Sequence, residues 1–440
     1  MRRHVTGTVL ALLSGSVGWA ELPTSVVRPT ARPDKFGDTY VHVIVGQKRP
    51  QARPVAQTTI SEPKIMDRTQ TFAEWSNRFR EKAVANGISP ETVDRAFRGI
   101  VYDAEVVRRD RNQSEFTKTI WDYLDTAVSD ARVNNGKTAL AQNRHLLQRI
   151  EETYGVDKQV LLAIWGLESA YGAFRGNDKT VQSLATLAYD PRRSSFFEEQ
   201  LMEALSILQS GDVSADRMRG SWAGAMGHTQ FMPTSFRDHA VDFTGDGKRD
   251  IWSDDPSDAL ASTAAYLAHH GWTTGQPWGV EVTLPKDFDY RLANRSIKKQ
   301  PAAWGQMGIL DTNGKPVKNH GLGSILLPAG GTGAAFMIFD NFEVIESYNT
   351  ADAYVIGVGH LGDRIMGGNP VQAKWPRADR ALTYKERTEM QQRLTLLGFD
   401  TQGIDGKIGP RTIDAVRAYQ VANGLLPDGY PSLRLLDLLR

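Results

Sequence analysis

The chain has no cysteine in its 440 residues. That absence excludes a disulfide framework, a thiolate nucleophile and lipid attachment through a lipoprotein-type cysteine. It does not fix the compartment, because cytosolic proteins also lack cysteine. Net charge is nearly absent as well: 52 Lys and Arg stand against 51 Asp and Glu, so no global field draws the molecule to nucleic acid or to an anionic membrane surface. Any affinity has to come from a local site. The N-terminal apolar run falls short of the ~20 residues that a membrane anchor needs. What is present is an apolar share of 40%, enough for a sizeable core in a chain long enough for more than one domain.

The first twenty residues read as a cleaved export signal. Arg2, Arg3 and His4 give a basic start, residues 5–17 are mostly apolar, and Gly18 and Ala20 suit a small-residue cleavage site. The expected location is therefore the periplasm, without a membrane anchor. Residues 21–67 are rich in proline, arginine, threonine and valine and lack helical periodicity, which reads as a tether. Helical patterning opens near Thr71, with Phe72, Trp75, Phe79 and Ala83 on one face, and residues 68–370 form one mainly helical body. Residues 158–167 are nearly all apolar, as in a helix buried on most sides, and 196–208 give another helix. Short β-type runs such as 280–284, with a glycine turn at Gly330 and Gly331, predict a small sheet between residues 270 and 341. Helical signals return at 354–365. A joint at 371–381 leads to a tail, 382–440, in which Asp405-Gly406 and Asp428-Gly429 each precede a helix-like segment, suggesting two related halves.

Glu168 stands where the apolar helix meets a turn, between Ala163-Ile164-Trp165-Gly166-Leu167 and Ser169-Ala170-Tyr171-Gly172. A glutamate kept protonated by apolar neighbours can give its proton to the oxygen of a leaving sugar. Spacing alone fits a solvated helix-end glutamate better; the surroundings reverse that preference. Residues 220–233, GSWAGAMGHTQFMP, combine small residues that let a polymer approach the backbone with Ser221, Gln230 and aromatic rings suited to sugars. His228, inside this strip, has no paired acid or nucleophile at suitable spacing and reads as a cleft-edge residue.

Taken together, Glu168-Ser169-Ala170-Tyr171-Gly172, residues 220–233 and Tyr266-Leu267-Ala268-His269-His270-Gly271-Trp272 resemble the B-type family of lytic murein transglycosylases, over roughly residues 71–367. The resemblance implies a mainly α (α+β) architecture: a lysozyme-like catalytic domain with a small β element. It also implies a single catalytic carboxylate at Glu168. That group would protonate the glycosidic oxygen between N-acetylmuramic acid and N-acetylglucosamine, then take the proton of the same sugar's C6 hydroxyl as it attacks C1, leaving a 1,6-anhydromuramyl end. By the same resemblance Tyr123, Arg192, Arg193, Ser221, Gln230, Tyr266, Tyr348 and Tyr354 would bind substrate. Two alternatives remain open at this point: a hydrolytic muramidase that delivers water to C1, and a peptidoglycan-binding scaffold without catalysis. Peptidoglycan glycan strands are the expected partner, with cell-wall synthesis proteins as a second class.

Residues 242–250, DFTGDGKRD, resemble the start of an EF-hand loop, with Asp242, Thr244, Asp246 and the Lys248 carbonyl as oxygen donors. Ser253 replaces the usual closing glutamate, so closure falls to Asp254, Asp255 or Asp258, and the family resemblance favours Asp258 in that role. A structural calcium ion is thus the expected cofactor, and none is required for the chemistry. The tail resembles the first type of peptidoglycan-binding domain, a three-helix module, through Met390-Gln391-Gln392-Arg393-Leu394, residues 404–412 and Ala418-Tyr419-Gln420. Tethering such a module to a catalytic body raises the local concentration of an insoluble polymer.

Overall fold

A computed structural model describes residues 71–111 and 118–440; the export signal and the tether expected at 1–20 and 21–67 lie outside them. Several helices are started by chemistry the sequence carries. Thr71 and Glu74 make a capping box on the helix Phe72–Ala85, and Ser89, Thr119 and Ser129 accept from the first turns of Pro90–Ala96, Ile120–Ala127 and Asp130–Gln142. Each satisfies donors that a helix N-terminus leaves orphaned.

The helix Lys158–Ser169 is buried continuously from Val160 to Gly166. A helix apolar on every side belongs inside a core, and Asp130–Gln142, Arg144–Tyr154, Ser257–His269 and Asp352–Ile365 surround it. Leu161, Leu162, Ile164, Leu267, Phe342 and Leu361 fill the space between them. A second core joins the first helices to Thr180–Tyr189 and Ser194–Ser210 through Trp75, Phe79, Phe197 and Leu201. Among the described residues no helix is long and apolar enough to cross a membrane.

Two strands, β1 (Asp178–Lys179) and β2 (Arg219–Gly220), pair antiparallel. The small sheet consists of β3 (Gly279–Thr283), β4 (Leu310–Asp311), β5 (Ser324–Leu326) and β6 (Ala335–Ile338), in the order β4-β3-β6-β5 with antiparallel neighbours. Side chains alternate across a strand, so β6 serves two cores. Phe336 and Ile338 enter the main one, while Ala335 and Met337 join Trp304 and Ile309 in a third.

The tail folds as three helices, Tyr384–Leu396, Pro410–Ala422 and Leu433–Leu439, around Met390, Leu394, Val416 and Leu436. The same device occurs twice in it. Gln391 accepts from Gly406 N at 2.8 Å and donates to Asp405 at 3.1 Å; Gln420 accepts from Gly429 N and donates to Asp428, both at 2.8 Å. A buried glutamine satisfied at both ends of its amide locks each Asp-Gly turn.

Candidate active site

Glu168 occupies the last turn of Lys158–Ser169, and the chain leaves that helix through three successive left-handed residues: Ala170 (φ 50), Tyr171 (φ 60) and Gly172 (φ 86). For the two non-glycine residues this costs roughly 1–3 kcal/mol each, so other contacts must hold the turn. Ser169 Oγ donates to the His228 carbonyl and accepts from Gly172 N at 3.0 Å. Tyr171 folds back over Gly166 and donates to Arg132 O at 2.9 Å; a Cβ at Gly166 or Gly136 would come within 2.6 Å of that phenol. Trp165 Nε1 donates to His228 Nδ1 at 3.0 Å, and His228 Nε2 lies 2.7 Å from Ser253 O. His228 is therefore not the cleft-edge residue the sequence suggested. It is 3% exposed, a neutral joint between the Glu168 helix and the 250s loop, and its burial lowers its pKa.

Against this rigid turn stand the tyrosines. Tyr354, buried on Asp352–Ile365, donates its hydroxyl to Glu168 Oε1 at 2.6 Å. Tyr348, at the end of Asp340–Tyr348, donates to Thr229 O at 2.6 Å. Burial first, and then the Glu168 charge, hold both phenols protonated well above the ordinary tyrosine range. Tyr266 lies edge-on to Tyr348 with centroids 5.1 Å apart and donates to Ser347 O. Tyr123 is close enough to act electrostatically on Tyr354. Five of the expected residues thus converge: Glu168, Tyr123, Tyr266, Tyr348 and Tyr354.

The 220–233 strip reaches this group through its backbone, since the His228 and Thr229 carbonyls accept from Ser169 and Tyr348. Gln230, itself left-handed (φ 56), commits both amide protons to the carbonyls of Arg175 and Gly227. Its own carbonyl oxygen is what remains for a ligand. Ser221 Oγ accepts from Ala225 N at 3.1 Å, which leaves its proton to donate. Arg192 and Arg193 stand apart from Glu168's partners: both pair with the buried Asp110, at 2.9 and 2.5 Å. Two guanidiniums on one carboxylate leave a surplus positive charge.

The expected calcium donors form a loop, but its carboxylates are turned inward to backbone N–H groups. Asp242 accepts from Gly245 N at 2.7 Å and Gly247 N at 2.8 Å, and Asp258 accepts from Phe243, Thr244 and Asp250 N at 2.9 to 3.0 Å. Asp246 accepts from Lys248 N. Asp258, at the start of Ser257–His269, ties residues 243, 244 and 250 together through these bonds. Among the described residues, however, no group of three His, Cys, Asp or Glu side chains stands together as a cage for a metal, so the donors as placed do not fit an ion without re-aiming.

Comparison with known proteins decides what this arrangement belongs to. The family profile of the transglycosylase SLT domain matches residues 71–363. The chain belongs to that family. Residues 383–439 match the peptidoglycan binding domain family. The crystal structure of SltB3 from Pseudomonas aeruginosa in complex with NAG-anhNAM-pentapeptide is 48% identical, with a TM-score of 0.82 over 84% of this chain and 100% of that one. Membrane-bound lytic murein transglycosylase B of Escherichia coli is 33% identical over 250 residues, and the match spans 66% of that relative's length and 55% of this chain. The Escherichia coli lytic transglycosylase Slt35 in complex with calcium is 29% identical, with a TM-score of 0.57 over 66% of this chain and 92% of that one. The enzyme is a lytic transglycosylase with a peptidoglycan-binding domain at its C-terminal end, and its catalytic domain has the lysozyme-like fold.

Proposed function

We propose that the enzyme cleaves the β-1,4 bond between N-acetylmuramic acid and N-acetylglucosamine with Glu168 as sole acid and base. The observation that carries this reading is the 2.6 Å bond from Tyr354 to Glu168 Oε1. The half-buried carboxyl gives its proton to the glycosidic oxygen and becomes a carboxylate, and a phenol held protonated is ready to stabilise that charge. The carboxylate then recovers a proton from the muramyl C6 hydroxyl as the ring closes on C1. An intramolecular nucleophile needs no second carboxylate to hold water, and Glu168 is the carboxylate whose charge acts on both Tyr348 and Tyr354. Ser221 and Gln230 supply one donor and one acceptor for sugar hydroxyls or acetamido groups. The Arg192 and Arg193 charge suits the carboxylates of a stem peptide.

The test is product analysis by mass spectrometry on digested sacculi. Wild type should release 1,6-anhydro muropeptides, and Glu168→Gln should lose roughly 100- to 10,000-fold in rate. Products heavier by one water would establish a hydrolase instead; unchanged release by Glu168→Gln would leave the carboxyl without a role. Residues 1–20 are proposed to export the chain to the periplasm. The 242–258 loop is proposed to take up a structural calcium ion once its carboxylates re-aim, supported by its donor pattern. Millimolar calcium should then raise the unfolding temperature of wild type and not of Asp242→Asn; an equal response in both removes the site.

A further inference from the structure

The helix that carries Tyr123, Ile120–Ala127, has only eight residues. Helices this short do not hold themselves in water, so Tyr123 stands wherever the helix is gripped. On its inner side Tyr123 meets Gly357, where a Cβ would come within 3.0 Å of its ring. Trp121 and Asp125, one turn apart, share a different face. That face is held by the segment leaving the catalytic domain. Trp375 lies against Trp121 with ring centroids 6.3 Å apart, and Arg377 pairs with both oxygens of Asp125 at 2.7 and 2.9 Å.

The segment is fastened at both ends. Upstream, Glu281 on β3 accepts from the N–H groups of Gln372 and Ala373 at 2.7 to 3.0 Å, and Gln372 donates to Thr312. Downstream, Asp379 meets Tyr430 of the C-terminal domain. That domain is seated on the catalytic body through Asp428, which accepts from Gly331 N at 3.0 Å, and through Arg417, which donates to Ala293 O at 2.9 Å. A flexible linker raises local concentration without shaping the site it serves. This one touches the helix that carries Tyr123, a residue expected to bind substrate.

We infer that residues 371–379 are a strap that positions Tyr123, with Trp375 and Arg377 as its positioning residues. The C-terminal domain then helps set the geometry of the glycan site besides holding polymer near it. The inference rests on the transglycosylase reading only for its kinetic readout. No single contact carries it, since an exposed ion pair such as Arg377 with Asp125 is weak alone; the tilted indole pair of Trp121 and Trp375 and the Glu281 clamp act on the same short segment.

The experiment uses the full chain, a soluble glycan tetrasaccharide too short to need the C-terminal domain, and hydrogen exchange across residues 120–127. Arg377→Glu and Trp375→Ala should raise KM on the short glycan about three- to tenfold and speed exchange in that helix. Mere loss of folded enzyme would lower kcat and leave KM alone. The swap Asp125→Arg with Arg377→Glu should bring both measurements back toward wild type. Should Trp375→Ala fail to fold, Arg377→Glu, at an exposed position, decides alone. Wild-type KM and wild-type exchange in these variants would overturn the strap, even if sacculus digestion fell. A wild type that forms no anhydro products would instead refute the transglycosylase reading, and the exchange data would still decide the strap.

Discussion

Replacing Tyr354 by phenylalanine removes one atom from the site and leaves its packing in place. The ring is 6% exposed within the main core, so the change should leave the fold intact. What it deletes is the 2.6 Å hydrogen bond to Glu168 Oε1. A hydrogen bond to a charged partner contributes about 1.5–3 kcal/mol, and this one is strongest when Glu168 has lost its proton, which is the state that develops as the glycosidic bond opens. A contribution made mainly in the transition state appears in kcat. The expected loss is roughly 10- to 100-fold in kcat with KM changed less than about twofold. The assay is initial-rate release of anhydro muropeptides from purified sacculi or a defined glycan, with a thermal melt to show that the fold is unaffected. A Tyr354→Phe enzyme with wild-type kcat would refute the claim that this phenol stabilises the glutamate during the reaction.

Two other predictions concern the frame around the site. Gly176, just before β1, has φ +87, and a Cβ there would lie 2.1 Å from the backbone oxygen of Gly220, a contact with backbone that has no side chain to swing aside; Gly176→Ala should cost about 3–5 kcal/mol in chemical denaturation, and a loss under about 1 kcal/mol would show that the chain relaxes there. His360 is buried, and desolvation, aided by the Arg364 charge, lowers its pKa to about 4. Unfolded, it takes its proton near pH 6.5, so between those values the unfolded state holds more protons and stability falls as pH falls. The contribution levels off below about pH 4 at roughly 3 kcal/mol. Urea melts at pH 7 and pH 4.5 should show a smaller acid loss for His360→Gln than for wild type; equal losses would mean that other groups carry the acid limb.

Much of this molecule was legible before any fold was seen. The unbroken apolar run before Glu168 required a helix inside a core, the alternation in 280–284 required a strand, and the paired Asp-Gly turns pointed to a tail with two related halves. Motif order sufficed to name the family and to nominate the glutamate. These are local properties: hydrophobic period, turn chemistry and residue spacing act within a few positions along the chain, and each leaves its mark in the order of residues.

What required the folded molecule was the pairing of distant positions. Nothing in the residues around 168 says that the phenol at 354 donates to that carboxyl, because 186 residues separate them and only the packing of Asp352–Ile365 against Lys158–Ser169 brings them together. The same holds for His228, whose residue type suggested the edge of a cleft and whose burial between Trp165 and Ser253 makes it a joint. It holds again for 371–381, whose proline and charges read as a joint until Glu281, Trp121 and Asp125 are seen gripping it. A sequence states which groups a chain owns; which of them lose water together, and so acquire shared chemistry, is decided by the packing of elements far apart along it.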